Sequence, residues 1–279
     1  VLVPDPGYPT YSSASKLVEA EIVTYDLAEE NKWWPDFEAL EQMDLSGVKI
    51  MWTNYPNMPT GAAASEALYA KLVDFGRRHG ILICNDNPYS FILNDRPLSI
   101  LAQPGAKECC LELNSLSKAH NMAGWRIGMV AADSEVIAQI LKVKSQMDSG
   151  MFKPLQFAAV QALAQGGEWF SQLNDEYRRR RVLAGDIFDL LGVKYDVDSS
   201  GMFLWGRITE NSLPGAGPEG PDRSAGERLS DRILYEAGVF ITPGFIFGRN
   251  GENYVRISLC AKPEVLEKAA GKIRSLCIK

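Results

Sequence analysis

The 279-residue chain is poor in metal and redox chemistry: it has two histidines and five cysteines, Cys84, Cys109, Cys110, Cys260 and Cys277, with no C-x-x-C pair among them. That excludes a structural zinc site, and an odd, scattered count does not suit a disulfide framework. The cysteines read instead as small apolar core residues, although adjacent Cys109 and Cys110 are not expected to share one face of a strand. No apolar run reaches membrane-span length and no charged n-region leads into an h-region, so the expectation is a cytoplasmic protein without a membrane partner. A formal net charge of −6 excludes the broad basic face that nucleic acid demands. The one basic run, Arg178 to Arg181, follows a helical pattern and reads as a solvated helix face. There is no internal repeat. The start lacks both Met and a polar lead-in, and Val1-Leu2-Val3 reads as the end of a buried strand, so an upstream segment is expected to be missing.

What is present is ample apolar material, 46% hydrophobic against 23% charged, arranged in alternating patterns. Short apolar runs at 21–27, 47–54, 80–86, 108–115 and 126–132 suit buried parallel strands. Between them, 65–80 places Leu68, Leu72 and Phe75 at helical spacing and stops at Gly80, while Ser134 is the expected N-cap of the next helix. The alternation predicts an α/β large domain over 1–150, a mainly parallel sheet with helices on both faces. Over 151–279 the pattern changes. A helical region at 154–191 precedes isolated strands, and a last helix after Pro263 carries Val265, Leu266, Ala269, Ala270 and Ile273 on one face, which predicts a smaller α+β domain.

Two motifs are set aside. The Gly215–Gly220 match to GxGxxG sits with Pro218 and Pro221 inside a Pro/Gly-rich loop, 212–226, expected to be mobile, rather than leading from a strand into a helix. S-x-x-K occurs twice, at 13–16 and 115–118, without the further motifs of penicillin-recognising enzymes.

Lys118 therefore needs another role. A lysine just beyond a buried strand is a candidate for Schiff-base chemistry, because desolvation favours the neutral, nucleophilic amine. Its company is informative: Asp86 closes another strand, and Tyr89 follows three residues later. In an open α/β sheet, ligands collect at the carboxyl ends of the strands.

These stretches resemble the class I/II aminotransferases, pyridoxal phosphate enzymes of fold type I, at five places in order: PDPGYPTY, NYPNMPTG, DNPY, SLSKAHNMAGWRIG and YVRIS. The resemblance implies pyridoxal 5′-phosphate as cofactor and amino-group transfer between an amino acid and a 2-oxo acid through a Lys118 Schiff base. It implies that Tyr8 stacks on the cofactor ring, Asp86 holds the pyridinium proton, Tyr89 bonds the phenolic oxygen, Ser115 and Arg126 bind the phosphate, and Arg256 grips the substrate carboxylate. Relatives carry asparagine where Met58 stands, and Asn57 is expected to serve in its place. The full protein is expected to be a homodimer in amino acid biosynthesis. The chain as given, lacking an N-terminal portion, is expected to bind cofactor weakly and turn over little. Alternatives are a C–S β-lyase on the same fold and the ligand-sensing domain of a regulator. Gly201, Met202 and Phe203 are expected to line the substrate pocket, with either Met202 or Phe203 facing it.

Overall fold

The computed structural model describes residues 1–213, 215 and 223–277, the Cys277 side chain excepted; the glycine motif beyond Gly215 and the greater part of the loop at 212–226 lie outside the described residues. The strands are β1 (Leu2–Asp5), β2 (Val23–Asp26), β3 (Ile50–Asn54), β4 (Leu82–Asp86), β5 (Cys110–Ser115), β6 (Gly128–Ala132), β7 (Lys194–Tyr195), β8 (Phe203–Arg207), β9 (Thr242–Pro243) and β10 (Tyr254–Ser258). The helices are α1 (Pro9–Leu17), α2 (Phe37–Glu41), α3 (Glu66–His79), α4 (Ala106–Cys109), α5 (Leu116–Ala119), α6 (Ser134–Met147), α7 (Lys153–Leu163), α8 (Gly167–Leu191), α9 (Ala225–Ala237) and α10 (Pro263–Cys277).

One sheet runs β2-β1-β3-β4-β5-β6. Its first five strands are parallel, so their carboxyl ends share one edge. β6 departs from expectation: it is antiparallel to β5, and Gly128 and Met129 are exposed. Its alternation of small and apolar residues does not encode direction, and the connection from β5 carries only the four-residue α5 and a 3-10 turn rather than a crossover helix.

Local signals explain α3 well. Ser65 caps it by accepting from the Leu68 N–H, Leu68, Leu72 and Phe75 are buried, and Gly80 ends it at φ +64. α6 is capped by Asp133, whose side chain accepts from Glu135, rather than by Ser134. The expected helical region at 154–191 is two helices. Leu155, Ala158, Ala159 and Ala162 of α7 pack on Leu116, Met122 and Ile127, whereas Ala184, Ile187, Phe188 and Leu191 of α8 pack with β8 and β10. α7 thus sides with the six-stranded sheet although it lies beyond residue 150.

The second sheet runs β7-β8-β10-β9, antiparallel throughout. α10 packs on α8 and α9, burying Leu266 and Ile273 but leaving Val265 exposed. The arginine run is more than a solvated face: Arg180 Nη1 donates to the Leu259 carbonyl (3.2 Å) and Arg181 Nη1 to that of Ser199 (2.9 Å), tying α8 to the ends of two strands. Cys84, Cys109 and Cys110 are buried as expected, but Cys260 is exposed. Cys109 ends a helix and Cys110 begins a strand, so the chain bends between them and their sulfurs lie 3.7 Å apart. No helix among the described residues is long and apolar enough to cross a membrane.

Candidate active site

Asn54, Asp86 and Ser115 are the last residues of β3, β4 and β5, so the parallel sheet delivers all three to one edge. Asn54 stitches two ends together: its Nδ2 donates to the Asp86 carbonyl (2.6 Å) and its side-chain oxygen accepts the Met58 N–H (2.7 Å). Burial pushes the Asp86 carboxyl above its ordinary range, and a hydrogen bond from the Tyr11 hydroxyl to Oδ2 (2.8 Å) pulls it back down. Tyr11 is itself buried, stacked on Trp52 at 4.8 Å. Tyr8, edge-on to Tyr11 at 5.6 Å, remains 44% exposed, so one of its faces is open to a ligand. Tyr11 and Asn54 went unrecognised in the sequence. The available signal was the i, i+3 spacing of Tyr8 and Tyr11 where α1 begins.

Ser115 ends β5 and caps α5: its Oγ accepts the Ser117 N–H (3.1 Å) and donates to the Ile127 carbonyl (3.3 Å). Lys118 rides on this short turn, half-buried, and its amine has no partner among the described residues. Ser115 pairs with Gly128 across β5 and β6, which brings Arg126, two residues earlier, to the same end. Arg126 is exposed, adopts φ +55, and donates from Nη1 to the Ala123 carbonyl (2.8 Å).

The other half of the site comes from the small sheet. Tyr89 is buried and edge-on to Phe203 at 5.9 Å. Burial first, then the Asp86 charge, drives its phenol well above the usual range, while Arg256 acts in the opposite sense. The Arg256 guanidinium lies 4.1 Å from the Phe203 ring centroid and 4.5 Å from that of Phe247. Nη1 donates to Met58 Sδ (3.3 Å), and Nε is buried without any partner. Burial lowers its pKa to about 10. A thioether is a weak acceptor, so this half-buried cation lacks the hydrogen-bonded oxygen that would offset its desolvation. A bidentate carboxylate is the natural complement.

Three expectations are refined. Asn57 is turned into its own loop: its Oδ1 accepts from Thr60 Oγ1 (2.7 Å) and the Thr60 N–H (3.3 Å). Its Oδ1 is thereby engaged within the turn, while the neighbouring Met58 is the side chain that reaches Arg256. Of the pocket strand, Phe203 contacts Tyr89 and Arg256, whereas Met202 is buried in the core. Gly201 donates its N–H to the Ile92 carbonyl (2.8 Å) and lies beside the Tyr89 Cβ.

The family model for aminotransferase class I and II matches residues 1–273. An LL-diaminopimelate aminotransferase from Dehalococcoides mccartyi is 38% identical over 274 residues, 98% of this chain and 68% of that protein. The protein of that name from Aquifex aeolicus is 37% identical over 278 residues, 99% of this chain and 69% of its own length. Among solved structures, BacF from Bacillus subtilis superposes with a TM-score of 0.89 at 35% identity, covering 99% of this chain and 68% of that one. An aspartate aminotransferase variant from Thermus thermophilus superposes with a TM-score of 0.85 at 25% identity, covering 99% and 72%. Fold, extent of match and relatives agree: the chain belongs to the class I and II aminotransferases, pyridoxal phosphate enzymes that transfer an amino group between an amino acid and a 2-oxo acid.

Proposed function

We propose that the amino donor is LL-diaminopimelate or a close dicarboxylic analogue, and that the residues gathered above divide the work. The observation that carries this reading is the chain's 37–38% identity to LL-diaminopimelate aminotransferases; the Arg256 guanidinium, with a buried, unpartnered Nε and only a thioether as acceptor, supports a carboxylate ligand. The residues fit the cofactor: a buried carboxylate held by one hydrogen bond, a partnerless lysine, and a half-exposed aromatic ring occupy one sheet edge.

When bound, pyridoxal phosphate supplies the electron sink for the carbanion at the substrate Cα. Asp86 keeps the ring nitrogen protonated, and Tyr8 covers one ring face. Tyr89 would donate its hydroxyl to the phenolic oxygen. Ser115 and Arg126 hold the phosphate, Arg126 by a charge-assisted contact. Lys118 would hold the cofactor covalently through Nζ, and the same amine, kept within reach of the substrate Cα, would carry the Cα proton. Arg256 fixes the carboxylate by a two-point clamp.

The packing of α7 on Leu116, Met122 and Ile127 supports a division between domains that lies beyond α7. Leu141, Val143 and Met147 of α6 and Phe157, Val160 and Leu163 of α7 are exposed, which supports a homodimer or another covering segment. The compartment proposed is the cytoplasm. The test is a panel of amino donors offered to the cofactor-loaded protein with and without a 2-oxo acid acceptor. LL-diaminopimelate is expected to be the best donor and to require the acceptor; release of pyruvate and ammonia without it would indicate β-elimination.

A further inference from the structure

Apart from residues that face the cofactor or substrate, one buried carboxylate joins the two sheets. Asp5, the last residue of β1, is only 9% exposed. Its Oδ2 accepts the Arg249 N–H (3.1 Å) and its Oδ1 the Asn250 N–H (3.0 Å). In return, Asn250 Nδ2 donates to the Asp5 carbonyl (3.1 Å) and to Asp26 Oδ1 (2.7 Å). Two residues on, the Gly7 N–H donates to the Phe247 carbonyl (2.8 Å). Gly248 sits at φ +136, and a Cβ there would run into the Asp5 carboxylate, so the close approach requires glycine.

The ends of this tie are the informative part. On one side, Asp5 lies three residues before Tyr8, whose ring is assigned to the cofactor. On the other, Phe247 stacks at 4.5 Å on the Arg256 guanidinium and edge-on to Trp205. No lysine or arginine side chain forms an ion pair with Asp5 among the described residues; Asp26 adds a like charge nearby, and the Arg249 charge acts in the opposite sense. A buried carboxylate held only by backbone N–H groups is an expensive way to close a loop. Its two oxygens do, however, fix two successive amides at once and thereby set the loop's orientation as well as its position.

We propose that Asp5 is a positioning residue that locks the 247–250 segment to the strand end leading into Tyr8, holding the carboxylate clamp at a set distance from the cofactor ring. Arg256 owes its orientation to Phe247, and Phe247 owes its own to Asp5 and Gly7. The inference rests on the assignment of Arg256 to the carboxylate and Tyr8 to the ring.

The test compares wild type with Asp5→Asn, which keeps size but turns an N–H₂ toward an N–H, and with Asn250→Ala, which spares the Asp5 carboxylate. Amide hydrogen exchange reads the lock directly, and calorimetric binding of glutarate, an unreactive dicarboxylate, reads the clamp. Asp5→Asn is expected to speed exchange at Arg249 and Asn250 by about tenfold and to weaken glutarate by a similar factor. Amino-acid KM rises with it, and kcat and cofactor absorbance stay nearly constant; Asn250→Ala gives a smaller change of the same kind. Lower thermal stability with unchanged glutarate affinity and KM would reduce Asp5 to a structural tie and overturn the proposal, as would unchanged exchange. If Arg256→Ala binds glutarate as well as wild type, the assignment of Arg256 fails, while the exchange data still report on the lock.

Discussion

The two halves of the site are built on opposite terms. At the sheet edge, Asp86 has Tyr11, Tyr11 has Trp52 behind it, and Asn54 holds both the Asp86 backbone and the Met58 turn. Around Arg256 the protein offers two aromatic faces, one sulfur and, among the described residues, no hydrogen-bonded oxygen. The cofactor side is completed by the protein, whereas the carboxylate side is completed by the ligand. Binding energy at Arg256 is therefore available to select substrate, and the ring site is held ready in advance.

The largest effect expected from breaking this asymmetry is at Arg256. Arg256→Ala removes the clamp and should cost about 2–5 kcal/mol in substrate binding, seen as a steep rise in amino-acid KM with cofactor absorbance nearly unchanged; an unaltered half-reaction would place the carboxylate elsewhere. Tyr11→Phe comes next. It keeps the stack on Trp52 but removes a hydrogen bond to a charged group worth about 1.5–3 kcal/mol, so kcat should fall about tenfold while KM holds. The Asp86 carboxyl should also move further up, shifting the acid limb of the pH profile to higher pH. An unshifted limb would detach Tyr11 from Asp86.

Asp86 supplies a test of opposite sign. Its folded pKa is raised above the ordinary value by burial, so the fold prefers the protonated form. The ionised carboxylate then lowers stability at neutral pH, and this penalty disappears as pH falls through the raised folded pKa toward the unfolded value. Asp86→Asn should accordingly raise the melting temperature of cofactor-free protein at neutral pH, with the gain shrinking in acid, even as it removes the partner of the ring nitrogen. A lower melting temperature at neutral pH would mean that Asp86 is structural. The smallest change is expected from Met58→Leu, a volume-conserving swap costing less than about 1.5 kcal/mol, with KM moving by no more than a few-fold. A large loss would show that the sulfur does more than fill space.

Legibility followed the range of the interaction. The placement of Asp86 and Lys118 at or just beyond strand ends was readable from the α/β pattern, Ser115 was singled out only by the resemblance, and α3 was readable because its cap, stripe and Gly80 are local. What was not readable depends on partners far along the chain. Tyr11 meets Asp86 across 75 residues, and Arg180 meets Leu259 across 79. The direction of β6 is decided by its neighbour rather than by its own pattern. Asn57 and Met58 are adjacent, and which of them faces Arg256 depends on a loop whose closure by Thr60 no periodicity announces.

The most direct test of the account is to load the protein with pyridoxal phosphate, reduce it with borohydride, and map the pyridoxyl group by peptide mass. The account predicts the label on the peptide carrying Lys118, lost in Lys118→Ala together with all transamination. Label on Lys16 or Lys153, or turnover surviving in Lys118→Ala, would contradict it.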